Sequence, residues 1–170
     1  MRRALTSLVA CLGDITLEGD QSTRPLGYHP IPIWTSLLDK EQTSLTKRTR
    51  QVVILTVGSV WKAPYELYAH SAIAANAGFT AKQIASLAAG RSPEGLRVEE
   101  LAAQRFTHQL VSEHAIDDDI YAAAQGVFGD EGLVEMLVLI GCYLSVCALL
   151  NAFAVPVPKE RPTIHEGDAQ

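Results

Sequence analysis

Between Met136 and Val157 the sequence MLVLIGCYLSVCALLNAFAVPV carries no charged residue. A run of that length is far longer than a β-strand of about 5–6 residues. It reaches the roughly 20 residues that cross a bilayer as a helix. Its hydrogen bonds must therefore be made within itself, as a helix, and its side chains must be covered. Ser145, Asn151 and Pro156 interrupt the run, Glu131 and Glu135 precede it without a basic flank, and no second run of this kind exists. A helix that is apolar all round is better placed as a core helix or as a seam between subunits, so no membrane association is expected. The N-terminal MRRALTSLVAC superficially fits a lipoprotein leader, but its apolar stretch of about seven residues is at the short end for export. A short arm packing on a neighbour is expected instead.

Composition narrows the classes. The 170 residues are 48 % hydrophobic and 19 % charged, which fits one globular domain able to bury a core without staples. Fourteen basic against nineteen acidic residues give a net charge of −5, and no stretch interleaves Lys or Arg with aromatics, so nucleic acid is not an expected partner. Cys11, Cys142 and Cys147 are odd in number, lie in apolar surroundings and lack metal-ligand spacing. They read as buried thiols of a reducing compartment, and a cytoplasmic location follows.

Residues 1–42 contain Pro25, Pro30 and Pro32 and read as an extended arm, because proline excludes helix at and just before its own position. From there the pattern is helical. Ser44 or Thr46 can cap a helix running through Val52, Val53, Leu55 and Val60. Pro64 and Gly78 bracket the next, the former suited to a first turn and the latter to a left-handed stop. Thr80 and Gln83 form a capping-box pattern for a third, which Gly90 closes. After RSPEG, residues Leu96, Leu101, Ala102, Phe106, Leu110 and Val111 share a face. Asp117 to Asp119 cap a short helix, and Gly129 with Asp130 opens the long apolar one. The expected domain is 43–155, all-α, with about six helices, followed by a polar tail over 156–170.

Within this map YELYAH places Glu66 and His70 one helical turn apart, able to meet on the same face. Trp61, Tyr65 and Tyr68 can supply apolar walls with polar tips. If the pair is buried, desolvation and mutual attraction oppose each other on the imidazole, which is what a general acid/base needs. On an exposed face the same spacing is only a weak surface ion pair. The other polar residues have bland readings. His108 and His114 point to different faces and make no metal pair. His29 is a packing residue of the arm, His165 lies in the tail, and Tyr143, Cys142 and Cys147 belong to the core. No metal is expected.

The stretches RQVVIL, YELYAH, AGFTAKQI and YLSVCALLNAF together resemble the carboxymuconolactone decarboxylase and alkylhydroperoxidase-D (AhpD) superfamily over about residues 44–153. The resemblance implies an AhpD-like all-α fold assembled as a homo-oligomer, a trimer or hexamer, with sites near subunit interfaces. Redox members carry a Cys-x-x-Cys pair seven and four residues before the histidine. Here those positions are Ala63 and Glu66, so no dithiol is available there. Their relay glutamate, nineteen residues before the histidine, corresponds to Gln51. The decarboxylase branch implies a cofactor-free lyase or isomerase acting on a small carboxylated, lactone-like substrate. His70 would be the proton donor and Glu66 its orienter. Gln51, Tyr65 and Tyr68 would be hydrogen-bond donors, and Arg48 or Arg50 a carboxylate anchor. An antioxidant peroxidase and a non-catalytic ligand-binding protein are the other classes the resemblance admits.

Overall fold

The computed structural model describes residues 43–158. It contains α1 (Lys47–Val60), α2 (Pro64–Asn76), α3 (Ala81–Ala88), α4 (Val98–Glu113) and α5 (Asp118–Ala152), and no strand among the described residues. The all-α expectation holds. The arm, with His29 and Cys11, and the tail from residue 159 onward, with His165, lie outside the described residues.

α1 is the axis of the fold and packs against all four other helices. Thr46 caps it, its hydroxyl accepting from the Thr49 N–H at 3.1 Å. Ser44, the other capping candidate, instead turns to α5, where Glu135 Oε2 accepts from the Ser44 N–H, the Ser44 hydroxyl and the Thr43 hydroxyl. Every residue from Gln51 to Gly58 is buried. Val53, Ile54 and Val57 face a core shared with Phe106, Leu133, Met136 and Ile140 of α4 and α5. Val52 and Leu55 face a second, smaller core with Ala74, Phe79 and Leu87. An apolar run without amphipathic period thus separates two cores, which is why VVILTV reads ambiguously by pattern alone.

The turn signals act as their chemistry requires. Pro64 sits in the first turn of α2, and the capping box of Thr80 and Gln83 is complete. Gly78 and Gly90 take the left-handed conformation, with φ of 85° and 72°, which costs a residue with a Cβ far more. α5 is 35 residues long and is broken at Gly129, whose φ of 64° and ψ of −179° leave the helical region. The short and long C-terminal helices expected from sequence are therefore the two arms of one interrupted element. Asp117 stands at its N-terminal boundary without capping it by its side chain. Its carboxylate accepts from Gln109 Nε2 at 2.8 Å, and its N–H donates to Gln109 Oε1 at 2.9 Å.

The apolar helix is only half a core element. In its most apolar stretch 44 % of the residues are buried, while Val134 and Leu137 remain 57 % and 43 % exposed. It is long and apolar enough to cross a membrane by length and composition, although its inner face is spent on α1 and α4.

The face of α4 differs from expectation at one telling residue. Glu100, at the third helical position, is fully buried. Its carboxylate accepts from the Arg97 N–H at 3.0 Å and from Arg48 Nε and Nη2 at 2.5 and 3.2 Å. Arg48 also donates to the Ala77 carbonyl at 3.3 Å and stacks 3.8 Å over the Phe79 ring. One guanidinium therefore joins the end of α2, the start of α4 and the smaller core. Burial alone would raise the Glu100 carboxyl, but the Arg48 hydrogen bonds, the Arg97 N–H and the two guanidinium charges outweigh it and hold it below the ordinary value.

Removing one partner strands a buried charge. Arg48→Met is expected to cost about 3–5 kcal/mol in urea unfolding, and adding Glu100→Gln to it should restore a large part. Because the folded carboxyl titrates below its unfolded value of about 4.3, its contribution is present above that pH and fades as pH falls through the folded value. The acid-side decline in melting temperature should be shallower in Glu100→Gln than in the wild type.

Candidate functional site

α2 presents Glu66 and His70 on the turn beside α1, and α1 presents Gln51 opposite them. Gly58 makes the approach possible: a Cβ there would lie 3.2 Å from Leu67 Cδ2 and 3.5 Å from Glu66 Cγ. His70 Nδ1 stands 2.9 Å from Gln51 Oε1, and His70 Nε2 stands 3.0 Å from Glu66 Oε1. The side chains of His70 and Glu66 are 12 % and 5 % exposed, and Gln51 is buried. The edge-on ring of Tyr143, from α5, meets the imidazole at 5.2 Å between centroids and 89° between planes.

With the Gln51 carbonyl oxygen on Nδ1, that nitrogen carries the hydrogen, and in the neutral ring Nε2 turns its lone pair toward Glu66. The Glu66 contact is close but off the line of a hydrogen bond, so among the described residues Oε1 is a buried oxygen with no hydrogen-bond partner. Burial pushes the Glu66 carboxyl up to about 7. An acid of that strength beside an imidazole can give or take a proton near neutrality with little driving force against it.

Sulfur lies near but is unsuited to attack. Cys142 and Cys147 of α5 are buried free thiols, pushed up to about 11 and about 12 by burial first and by the Glu66 charge second. Both therefore stay protonated at neutral pH, and the thiolate is the reactive form.

Of the other expected residues, Tyr65 and Tyr68 pair with centroids 6.4 Å apart. The Tyr65 hydroxyl is raised by burial, then by the charges of Tyr68 and Glu66, which sets it near the carboxyl. Trp61 stands at the exposed end of α1, 39 % accessible, with its carbonyl accepting from Asn151 Nδ2. Arg48 does not serve as a free anchor for a substrate carboxylate, since Glu100, Ala77 and Phe79 occupy its guanidinium. Tyr143 reads from sequence first as a core residue, on a helix that in the resembling family often lines the pocket. Its signal was available, as the single aromatic among the residues from Met136 to Leu150, where a phenol needs a reason to be.

Clefts of about 360 Å³ over α4 and about 230 Å³ beside α3 open on the surface, and neither is lined by Gln51, Glu66 or His70. Within one chain the pair is covered. Among the described residues no cluster of His, Cys, Asp and Glu could hold a metal.

Known proteins share this arrangement of helices. The carboxymuconolactone decarboxylase family model matches residues 33–108. A structure of a protein of unknown function from Agrobacterium tumefaciens, named as a candidate antioxidant defence protein AhpD, superposes with a TM-score of 0.67 at 17 % identity, covering 76 % of this chain and 90 % of that one. An uncharacterised peroxidase-related protein from Silicibacter sp. TM1040 superposes with a TM-score of 0.65 at 16 % identity, covering 76 % of this chain and 71 % of its own. No curated protein matches. At these identities the solved structures carry the fold: the chain has the AhpD-like all-α fold, and over residues 33–108 it is similar to the carboxymuconolactone decarboxylase family.

Proposed function

We propose that this protein is a cofactor-free acid/base enzyme, a lyase or isomerase of small oxygenated, lactone-like substrates, with His70 and Glu66 as its proton-transfer pair. The observation that carries the reading is the carboxyl of Glu66, raised to about 7, 3.0 Å from Nε2 of an imidazole whose other nitrogen is fixed by Gln51. Burial of an acid and a base in contact is costly to a fold, and proton transfer is the chemistry that such an arrangement serves.

In the decarboxylase form, the bond from the substrate carbon to its carboxylate breaks, CO₂ leaves, and the electron pair passes into a conjugated carbonyl as an enolate. Glu66 passes its proton to Nε2, the imidazolium so formed delivers it to the carbon, and a proton from solvent restores the Glu66 carboxyl. In the isomerase form the same pair removes a proton from one carbon and returns it to another. Tyr65 and Tyr68 are the proposed hydrogen-bond donors to the enolate oxygen, where a preformed donor acts most strongly. The raised thiols weigh against a peroxidase reading, which the names of the solved neighbours would suggest. We further propose that a second copy of the chain completes the substrate space, since the pair lines neither of the surface clefts and α5 keeps Val134 and Leu137 outward.

His70→Gln should abolish turnover of a lactone or enol-lactone panel substrate, by at least about 100-fold for loss of a general acid/base. Retention within a few-fold would end the proposal, as would wild-type turnover in a Glu66→Gln variant. Simultaneous loss of hydroperoxide consumption in Cys142→Ser would favour the peroxidase instead.

The same carboxyl predicts a stability signature. Its folded value lies above its unfolded one, so the fold prefers the protonated form and loses stability as pH rises from about 4.3 toward about 7. Glu66→Gln is expected to melt higher than the wild type at pH 8, with the difference closing by about pH 5. Differential scanning calorimetry across that range reads it directly.

A further inference from the structure

Tyr143 is half-buried on α5 and has no part in the proton transfers proposed above. Its ring nevertheless stands against the imidazole that makes them, with centroids 5.2 Å apart and planes at 89°.

Beside that contact the acid and the base leave a bond unmade. Glu66 is 4 % exposed, and its Oε1 lies 3.0 Å from His70 Nε2, yet among the described residues this oxygen has no hydrogen-bond partner. An unpartnered buried oxygen is costly. The distance is already that of a hydrogen bond and only the direction is wrong, so a turn of the imidazole is what would complete it. The ring is held back from that turn.

Its own torsion does not hold it, because the χ2 wells of histidine are broad. The Gln51 carbonyl oxygen meets Nδ1 at 2.9 Å, but a contact at one corner, in the plane of the ring, does not stop the ring tilting about it. Tyr143 lies across that plane, and an aromatic ring packed perpendicular to another resists the tilt by direct contact. Gln51 of α1 thus fixes one corner and Tyr143 of α5 fixes the plane.

The chemistry depends on this orientation. In the proposed reaction Nε2 takes a proton from Glu66 and delivers it to a substrate carbon, so it must reach two partners in turn. An imidazole locked onto the carboxyl would face away from the carbon. Catalytic hydrogen bonds are often poorly aligned in the free enzyme and tighten only with substrate in place. We propose that Tyr143 is a positioning residue: its ring keeps the His70 imidazole in the plane set by Gln51, with Nε2 beside Glu66 Oε1 but not bonded to it, so that the pair closes only when substrate is present. The proposal rests on the acid/base reading, but its first test needs no substrate.

Nuclear magnetic resonance of the histidine rings in the full-length protein, with His70 assigned by comparison with His70→Gln, reads the placement. In the wild type, Overhauser contacts should join the Tyr143 ring protons to the carbon-bound protons of the His70 ring; their absence overturns the proposal without any variant. At a pH where the wild-type ring is neutral, long-range ¹H–¹⁵N spectra should show hydrogen on Nδ1 and none on Nε2. Tyr143→Phe keeps the ring and should leave both signals in place. Tyr143→Leu, or the more adaptable Tyr143→Met should leucine not fold, should move the Nε2 signal toward its hydrogen-bonded position as the imidazole turns to Glu66. Unchanged His70 signals in the variant without a ring overturn the proposal. So does a phenylalanine variant that behaves like leucine, since the hydroxyl and not the ring would then set the orientation. With any lactone that the wild type turns over, Tyr143→Leu should lower kcat at least about tenfold and keep KM within about threefold, while Tyr143→Phe stays near wild type; an unchanged kcat in Tyr143→Leu overturns it as well. A protein that shows the expected signals but turns over no lactone contradicts the reaction proposed above, and leaves the Tyr143 ring placed as described.

Discussion

The structure depends on the burial of α1 from Gln51 to Gly58. A stretch of helix covered on every side has no solvent to satisfy its polar groups, so each must find a partner inside or be excluded from the sequence. Thr56 returns its hydroxyl to the Val52 carbonyl at 2.7 Å, and Thr49 shares its hydroxyl with Thr46 at 2.8 Å. Gln51 has a larger group to place and meets His70. The demand of the core and the orientation of the imidazole are one interaction. Gly58, further along the same helix, adds the second condition by letting the Glu66 stem approach.

Much of this was legible in the residues. Turn and cap signals located the helices because they depend on local stereochemistry: the positive φ of Gly78 and Gly90 and the reciprocal bonds of Thr80 and Gln83 require nothing from distant parts of the chain. The meeting of Glu66 with His70 followed from helical period, and the facing of Gln51 to His70 followed from the family spacing. What escaped was long-range. Nothing near Glu100 announces that its partner lies 52 residues earlier, and a glutamate in a first helical turn reads as a surface cap. The pairing of Arg48 is hidden for the same reason, since a cation three residues before Gln51 suggests substrate until its counter-ion is seen. Tyr143 needed the packing of α5 onto α2 before it could be placed beside His70.

The chemistry of the site follows from what its neighbours lack. In relatives with a dithiol, sulfur occupies the position held here by Glu66, four residues before the histidine. On the proposed reading, a carboxyl there carries protons where sulfur would carry electrons. It also works against the cysteines on α5, because its negative charge, added to their burial, disfavours the thiolate.

The threefold use of Glu100 has a further effect. A carboxylate that closes the first turn of α4, and holds the guanidinium that in turn binds the final carbonyl region of α2, makes those two helix ends depend on one another through a side chain of α1. Such ends cannot fray independently. Opening of any one breaks the same ionic contact, so this corner of the molecule behaves as a single cooperative block, with backbone amides that exchange with solvent together.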